Sequence, residues 1–115
     1  MTNLNSVIET ELYLARAGKL MSEVERETVV DMIAANPAGG VVIPGTGGLR
    51  KMRIPLQGRG KRGGGRVIYW FYSENFPVVL LLAFAKNEAE DISPDRRRKL
   101  MALGAVLLEQ LGGRK

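Results

Sequence analysis

The spacing of apolar and polar positions changes along the chain, and each change marks an element. After a short extended start around Val7 and Ile8, the first segment reads as two helices. Ser22 followed by Glu25 has the spacing of a capping box, and Val29, Val30 and Ile33 then recur at helical spacing until Asn36-Pro37 stops the run. These signals predict a helix from about Glu23 to Ala35. Gly39 and Gly40 lead into Val41-Val42-Ile43, a candidate short edge strand, and Pro44 to Gly48 is dense turn chemistry.

Three stretches of strand character follow. Leu49 to Leu56 alternates, with Leu49, Lys51 and Arg53 on one side and Arg50, Met52 and Ile54 on the other. Gly58 to Gly65 reads as a loop. Arg66 to Tyr72 is rich in β-branched and aromatic residues, Asn75-Phe76-Pro77 turns the chain, and Val78 to Ala85 is apolar throughout, as the centre of a sheet requires. The short connections predict an antiparallel meander, because parallel strands need a longer crossover. The last helix begins with Ser93 as N-cap and Pro94 at the first helical position. Leu100, Leu103, Leu107, Leu108 and Leu111 form a stripe for burial on the sheet or, in part, for the wall of a partner groove, and Gly112-Gly113 ends it.

A chain of 115 residues suits one domain, 1–115, and its 45% hydrophobic content is enough to build a core. The absence of cysteine and histidine removes disulfides, thiolate metal sites and the commonest general base, which excludes zinc enzymes and Ser-His hydrolases. Neither a metal nor a cofactor is expected. The polar, acidic start from Met1 to Glu11 is unlike a signal peptide, and Pro77 to Ala85 is far shorter than the roughly 20 apolar residues of a membrane-spanning helix. The expected location is the cytoplasm, without membrane association.

Charge changes the picture more than composition does. Net charge is +5, and between Asp31 and Glu74 there is no acidic residue but seven cations: Arg50, Lys51, Arg53, Arg59, Lys61, Arg62 and Arg66. A local field of one sign attracts a polyanion, although a solvated basic loop is the plain alternative. Gly58, Gly60 and Gly63 spell G-x-G-x-x-G, but a strand rather than a helix follows, so a dinucleotide site is rejected. The glycines fit a hairpin tip that lets Arg59, Lys61 and Arg62 approach a phosphate backbone. Tyr69, Trp70 and Tyr72 beside Arg66 offer rings for stacked bases, or else core. Lys86 ends the most apolar strand, where partial desolvation would suit it to proton transfer; a strand-end lysine reaching into solvent is the alternative.

Several ordered blocks resemble the RelE/HigB superfamily of toxins, in particular the branch of HigB and phage Gp49-like proteins. They are Ile43-Pro44-Gly45-Thr46-Gly47-Gly48-Leu49-Arg50-Lys51-Met52-Arg53, the loop Gly58-Arg59-Gly60-Lys61, Arg66-Val67-Ile68-Tyr69, and Ala85-Lys86-Asn87-Glu88 with Glu90-Asp91-Ile92-Ser93. The resemblance runs over roughly residues 7 to 111. It implies an α+β fold, with N-terminal helices packed on a small antiparallel β-sheet and a C-terminal helix. It also implies cleavage of messenger RNA in the ribosomal A site by the substrate's own 2′-hydroxyl, giving a 2′,3′-cyclic phosphate and a 5′-hydroxyl. Arg66, Lys51, Arg53 and Lys86 take the catalytic positions, and Arg50, Arg59, Lys61, Arg62 and Tyr69 the RNA-binding ones. Such chemistry needs no histidine if it rests on in-line positioning and on cations that neutralise phosphate charge. The implied partners are the ribosome with its mRNA and a cognate antitoxin of helix-turn-helix type, with operator DNA reached only through that antitoxin.

The block after Arg53 departs from the family, with Ile54-Pro55 where an aromatic residue is common, and no tyrosine follows Tyr72. The general base is then left among Lys86, Lys51 and a ribosomal group, since arginine stays protonated. A nuclease-dead RNA- or protein-binding relative and a ParE-like inhibitor of a topoisomerase are the competing readings, and neither requires the set of Lys51, Arg53, Arg66 and Lys86.

Overall fold

The computed structural model describes residues 6–56, 64–86 and 93–110. Their elements are β1 (Val7–Glu9), α1 (Glu11–Leu20), α2 (Glu23–Ala35), a 3-10 turn (Pro37–Gly39), β2 (Val41–Val42), β3 (Leu49–Ile54), β4 (Gly65–Trp70), β5 (Val78–Ala85) and α3 (Pro94–Gln110). Thr10 begins α1: its hydroxyl accepts from the Tyr13 amide at 3.1 Å and donates to the Leu80 carbonyl at 2.7 Å, tying the helix start to β5. The capping box of α2 is formed as read, with Glu25 N–H donating to Ser22 Oγ at 3.1 Å and Ser22 N–H to Glu25 Oε1 at 2.8 Å.

The strands lie in the order β1-β5-β4-β3-β2. From β2 to β5 the sheet is the antiparallel meander that short connections predict. β1 adds a parallel pair with β5, Val7 opposite Val78 and Glu9 opposite Leu80, so the sheet is mixed rather than wholly antiparallel. The crossover it needs is the whole of the chain between them, which no local pattern reports. β4 ends at Trp70, two residues short of the expected Tyr72. The Pro44–Gly48 segment turns with Gly45 and Gly47 at positive φ, a region β-carbons disfavour.

Both faces of the sheet are covered. Tyr13, Ala17, Val29 and Ile33 of the first two helices pack on Ile54, Val67, Tyr69 and Leu80. On the other face Leu100 of α3, with Met101, Leu103 and Leu107, packs against Leu49, Ile68, Trp70, Val79, Leu81 and Phe84. All eight residues of β5 are buried, which explains a strand apolar at every position; each large side chain removed from water contributes about 2 kcal/mol. Of the leucine stripe in α3, Leu100 is buried and Leu103 and Leu107 are half-buried, while the Leu108 side chain, Leu111 and Gly112-Gly113 lie outside the described residues. Among the described residues no helix is long and apolar enough to cross a membrane.

Candidate functional site

Alternation decides where the cations of β3 point. Leu49 belongs to the core under α3 and Ile54 to the core under α1 and α2, so Lys51 and Arg53 stand on the α3 face and Arg50 on the opposite one. The register then brings β4 alongside. Arg53 is directly opposite Arg66, which is opposite Phe84; Lys51 is opposite Ile68, which is opposite Leu82. Arg66 Nη1 donates to the Gly65 carbonyl at 3.0 Å. Arg53 is exposed, and Lys51 and Arg66 are half-buried.

Lys86 follows β5, where its amide donates to the Gly64 carbonyl at 3.0 Å. Strand parity with Phe84 places it on the same face. The end of β3, the start of β4 and the end of β5 coincide in an antiparallel sheet, so Arg53, Arg66 and Lys86 gather at one end of it. The lysine is exposed, which is the solvent-reaching alternative rather than the desolvated one. Arg59, Lys61 and Arg62 lie outside the described residues, but Leu56 and Gly64, which flank them, are at this same end.

Two RNA-binding candidates are corrected. Tyr69 is fully buried in the core beneath α1 and α2, so it has no ring face on which a base could stack. Its hydroxyl donates to the Pro37 carbonyl at 2.6 Å and accepts from Gly40 N–H at 2.9 Å, a clamp on the segment before β2. A β-carbon at Gly40 would stand 2.6 Å from that hydroxyl oxygen, so only glycine fits there. Burial raises the Tyr69 pKa, against the opposing influence of the Gly40 hydrogen bond and the Arg50 charge. Arg50 serves the same clamp: its Nη1 donates to the carbonyls of Ala38 at 3.0 Å and Gly40 at 2.9 Å, and its guanidinium lies 5.9 Å from the Phe71 ring centroid. Strand alternation therefore splits the described cations of the run, and Arg50 does not join Lys51, Arg53 and Arg66.

Of the other two aromatics, Trp70 is buried beneath α3 and stacks on Tyr72 with centroids 5.6 Å apart. Only Tyr72 offers exposed ring surface, at the end of β4 remote from Arg66. Sequence reading missed a second cationic group, Arg96 to Lys99 at the start of α3, which lies on the same side of the sheet as Arg66. Its signal was visible: four successive cations follow Pro94-Asp95, near the end of the helix whose dipole disfavours them.

What this face offers is two guanidiniums side by side with a lysine two residues along and another at the strand end. Like charges directly opposite on a sheet are unfavourable by roughly 0.2–1 kcal/mol. The pair suits a bound polyanion, because guanidinium forks match phosphate oxygens two at a time.

A family model described as the RelE toxin of the RelE / RelB toxin-antitoxin system matches residues 14–112, and this match does not single out the HigB branch. Among solved structures, a mutant of the E. coli toxin RelE in the free state, with two arginines replaced by alanine, aligns with a TM-score of 0.54. The two are 15% identical over 76% of this chain and 88% of that one, a likeness of fold. With the family model spanning residues 14–112 of the 115, the chain belongs to the RelE family, the toxins of toxin–antitoxin systems.

Proposed function

We propose that this toxin is a ribosome-dependent endoribonuclease that cleaves messenger RNA and is held inactive by a cognate antitoxin of helix-turn-helix type. The observation that carries the reading is the register of β3 on β4, which sets Arg53 across from Arg66 with Lys51 on the same face. Operator DNA would be reached through the antitoxin, and the cytoplasm is where ribosome and toxin meet.

The 2′-oxygen of one nucleotide attacks the adjacent phosphorus while the bond from phosphorus to the 5′-oxygen breaks in line with it. A 2′,3′-cyclic phosphate and a 5′-hydroxyl result. The proton of the 2′-hydroxyl leaves to a base and one is delivered to the departing 5′-oxygen, so the step needs neither external water nor a cofactor. Arg66 and Arg53 neutralise the charge that grows on the phosphate oxygens, and Lys51 holds the neighbouring backbone. Lys86, at the same end of the sheet, is the candidate for proton transfer, beside Lys51 and a ribosomal group.

Single-turnover cleavage of mRNA on programmed ribosomes, with end-group analysis, tests this. Arg66→Ala should slow cleavage by about 10²–10³-fold with a smaller change in ribosome affinity. Arg66→Lys should stay impaired, since a point charge lacks the bidentate fork. Lys86→Ala should slow cleavage as well. Wild-type rates from both Arg66→Ala and Lys86→Ala, or a 5′-phosphate on the downstream fragment, would sink the mechanism.

A further inference from the structure

Beside the cationic face lies a cavity of about 330 Å³ between the first turns of α1 and α3. Its apolar lining is Leu12, Leu82 and Leu100; its polar lining includes Arg96, Lys99 and Asp95. Leu12 is 47% exposed, an apolar side chain on an open wall. The N-cap of α3 is already satisfied, with the Arg96 amide donating to Ser93 Oγ at 3.1 Å, so what the cavity presents to a ligand is side chains.

Among the described residues, one carboxylate, Asp95, offsets the charge of this turn. Arg96, Arg97, Arg98 and Lys99 stand where the positive end of the helix dipole disfavours cations. Their single acidic neighbour on the turn, Asp95, is shared by Arg98 at 3.1 Å and Lys99 at 3.6 Å. Among the described residues no ion pair involves Arg96 or Arg97, and the Nε of Arg97 is buried without a hydrogen-bond partner.

Register ties the cavity to the site. Leu82 in its floor is opposite Ile68, which is opposite Lys51, so two interstrand steps, about 10 Å, separate the leucine floor from the lysine. The adjacent row holds Phe84, Arg66 and Arg53. A strand of nucleic acid lying across the sheet at Arg66 thus meets cations again at the start of α3, with an apolar recess between.

Taking the nuclease reading for the identity of the ligand, we infer that this cavity seats a nucleotide of the RNA flanking the cleaved bond. Its base lies on Leu12, Leu82 and Leu100, and its phosphate against Arg96 and Lys99. The two halves of the recess match the two halves of a nucleotide, a flat apolar ring and an anion.

Equilibrium binding of a labelled single-stranded RNA to the full chain, repeated over a range of salt, reads the site directly. Arg96→Glu with Lys99→Glu should weaken binding by about tenfold and flatten the dependence of log K on log salt by roughly 0.7 for each phosphate that the chain no longer neutralises. Glutamate suits the first turn of a helix, so circular dichroism should show α3 retained. Leu12→Gln should weaken binding by about fivefold with the salt slope unchanged, because the surface it removes is apolar. Wild-type affinity and slope in the doubly charge-reversed chain would overturn the inference, as would a variant that keeps its RNA but no longer retains the antitoxin, which would assign the cavity to that partner. Weakened RNA binding in the variant, with message left intact by the wild type, would keep the cavity and reject the nuclease. Wild-type RNA binding in the variant, with cleavage abolished by Arg66→Ala, would do the reverse.

Discussion

Arg53 and Arg66 face one another across a strand pair, a position where like charges are unfavourable. Arg53→Glu should replace repulsion by attraction and raise stability by up to about 1 kcal/mol, an increase of several degrees in Tm for a chain of this size, while RNA cleavage falls. Thermal unfolding beside a cleavage assay checks it; a variant destabilised by the change would remove the argument for strain. Two buried tyrosines give a contrasting pair. The Tyr69 hydroxyl holds Pro37 and Gly40, so Tyr69→Phe leaves a carbonyl and an amide unpaired and should cost about 2 kcal/mol in a denaturant titration. The Tyr13 hydroxyl is buried with no partner, so Tyr13→Phe should be neutral or stabilising. Burial, then the nearby Glu9 carboxylate, pushes the Tyr13 pKa from 10.0 up to about 12, against the opposing charge of Arg26. The unfolded chain therefore releases this proton first as pH rises, and the stability present below pH 10 is lost towards pH 12. Alkaline unfolding should begin in that window, and Tyr13→Phe should move its midpoint upward; an unmoved midpoint would exclude Tyr13 as its cause.

At the scale of elements, α3 rests on the sheet through a close approach. A β-carbon built on Gly104 meets the Trp70 ring at 3.4 Å, an ordinary contact. Gly104→Ala should therefore keep the seat and recover about 0.5–1 kcal/mol of helix propensity, whereas Gly104→Leu should lift α3 from Trp70 and shift the emission of that ring towards its solvated value. A destabilised alanine variant would show the approach to be tighter than this. At the other edge β2 has only two residues, Val41 and Val42, both exposed; so short an edge offers little to a foreign strand. Most boundaries are legible in the sequence because their signals are local. Ser22 with Glu25 opens α2, Asn36-Pro37 closes it, and the period-two pattern of β3 names its two faces correctly.

For the molecule as a whole, the described cations of the run, Arg50, Lys51, Arg53 and Arg66, occupy two faces of the sheet. Those on the α3 face, with the basic start of α3 beside them, form a field that an acidic antitoxin segment would neutralise. The affinity of the toxin for its antitoxin should accordingly fall as ionic strength rises. An affinity indifferent to salt, or a complex that leaves Arg53 and Arg66 exposed, would place the inhibitory contact elsewhere.

The sequence by itself determined what depends on neighbours along the chain: the caps, the turn glycines, the strand alternation, the cation-rich interval and the ordered blocks of the toxin family. Tertiary structure decided what depends on partners far away. Tyr69 and Arg66 lie three residues apart in one strand, yet one is core and the other half-open to solvent, because helices cover the face of the first and only part of the face of the second. The parallel seat of β1 on β5, the hydrogen bonds of Arg50 to Ala38 and Gly40, and the recess between α1 and α3 all join residues distant in the chain. Periodicity reports which side of a strand a residue faces; what stands opposite is set by packing, and there the function resides.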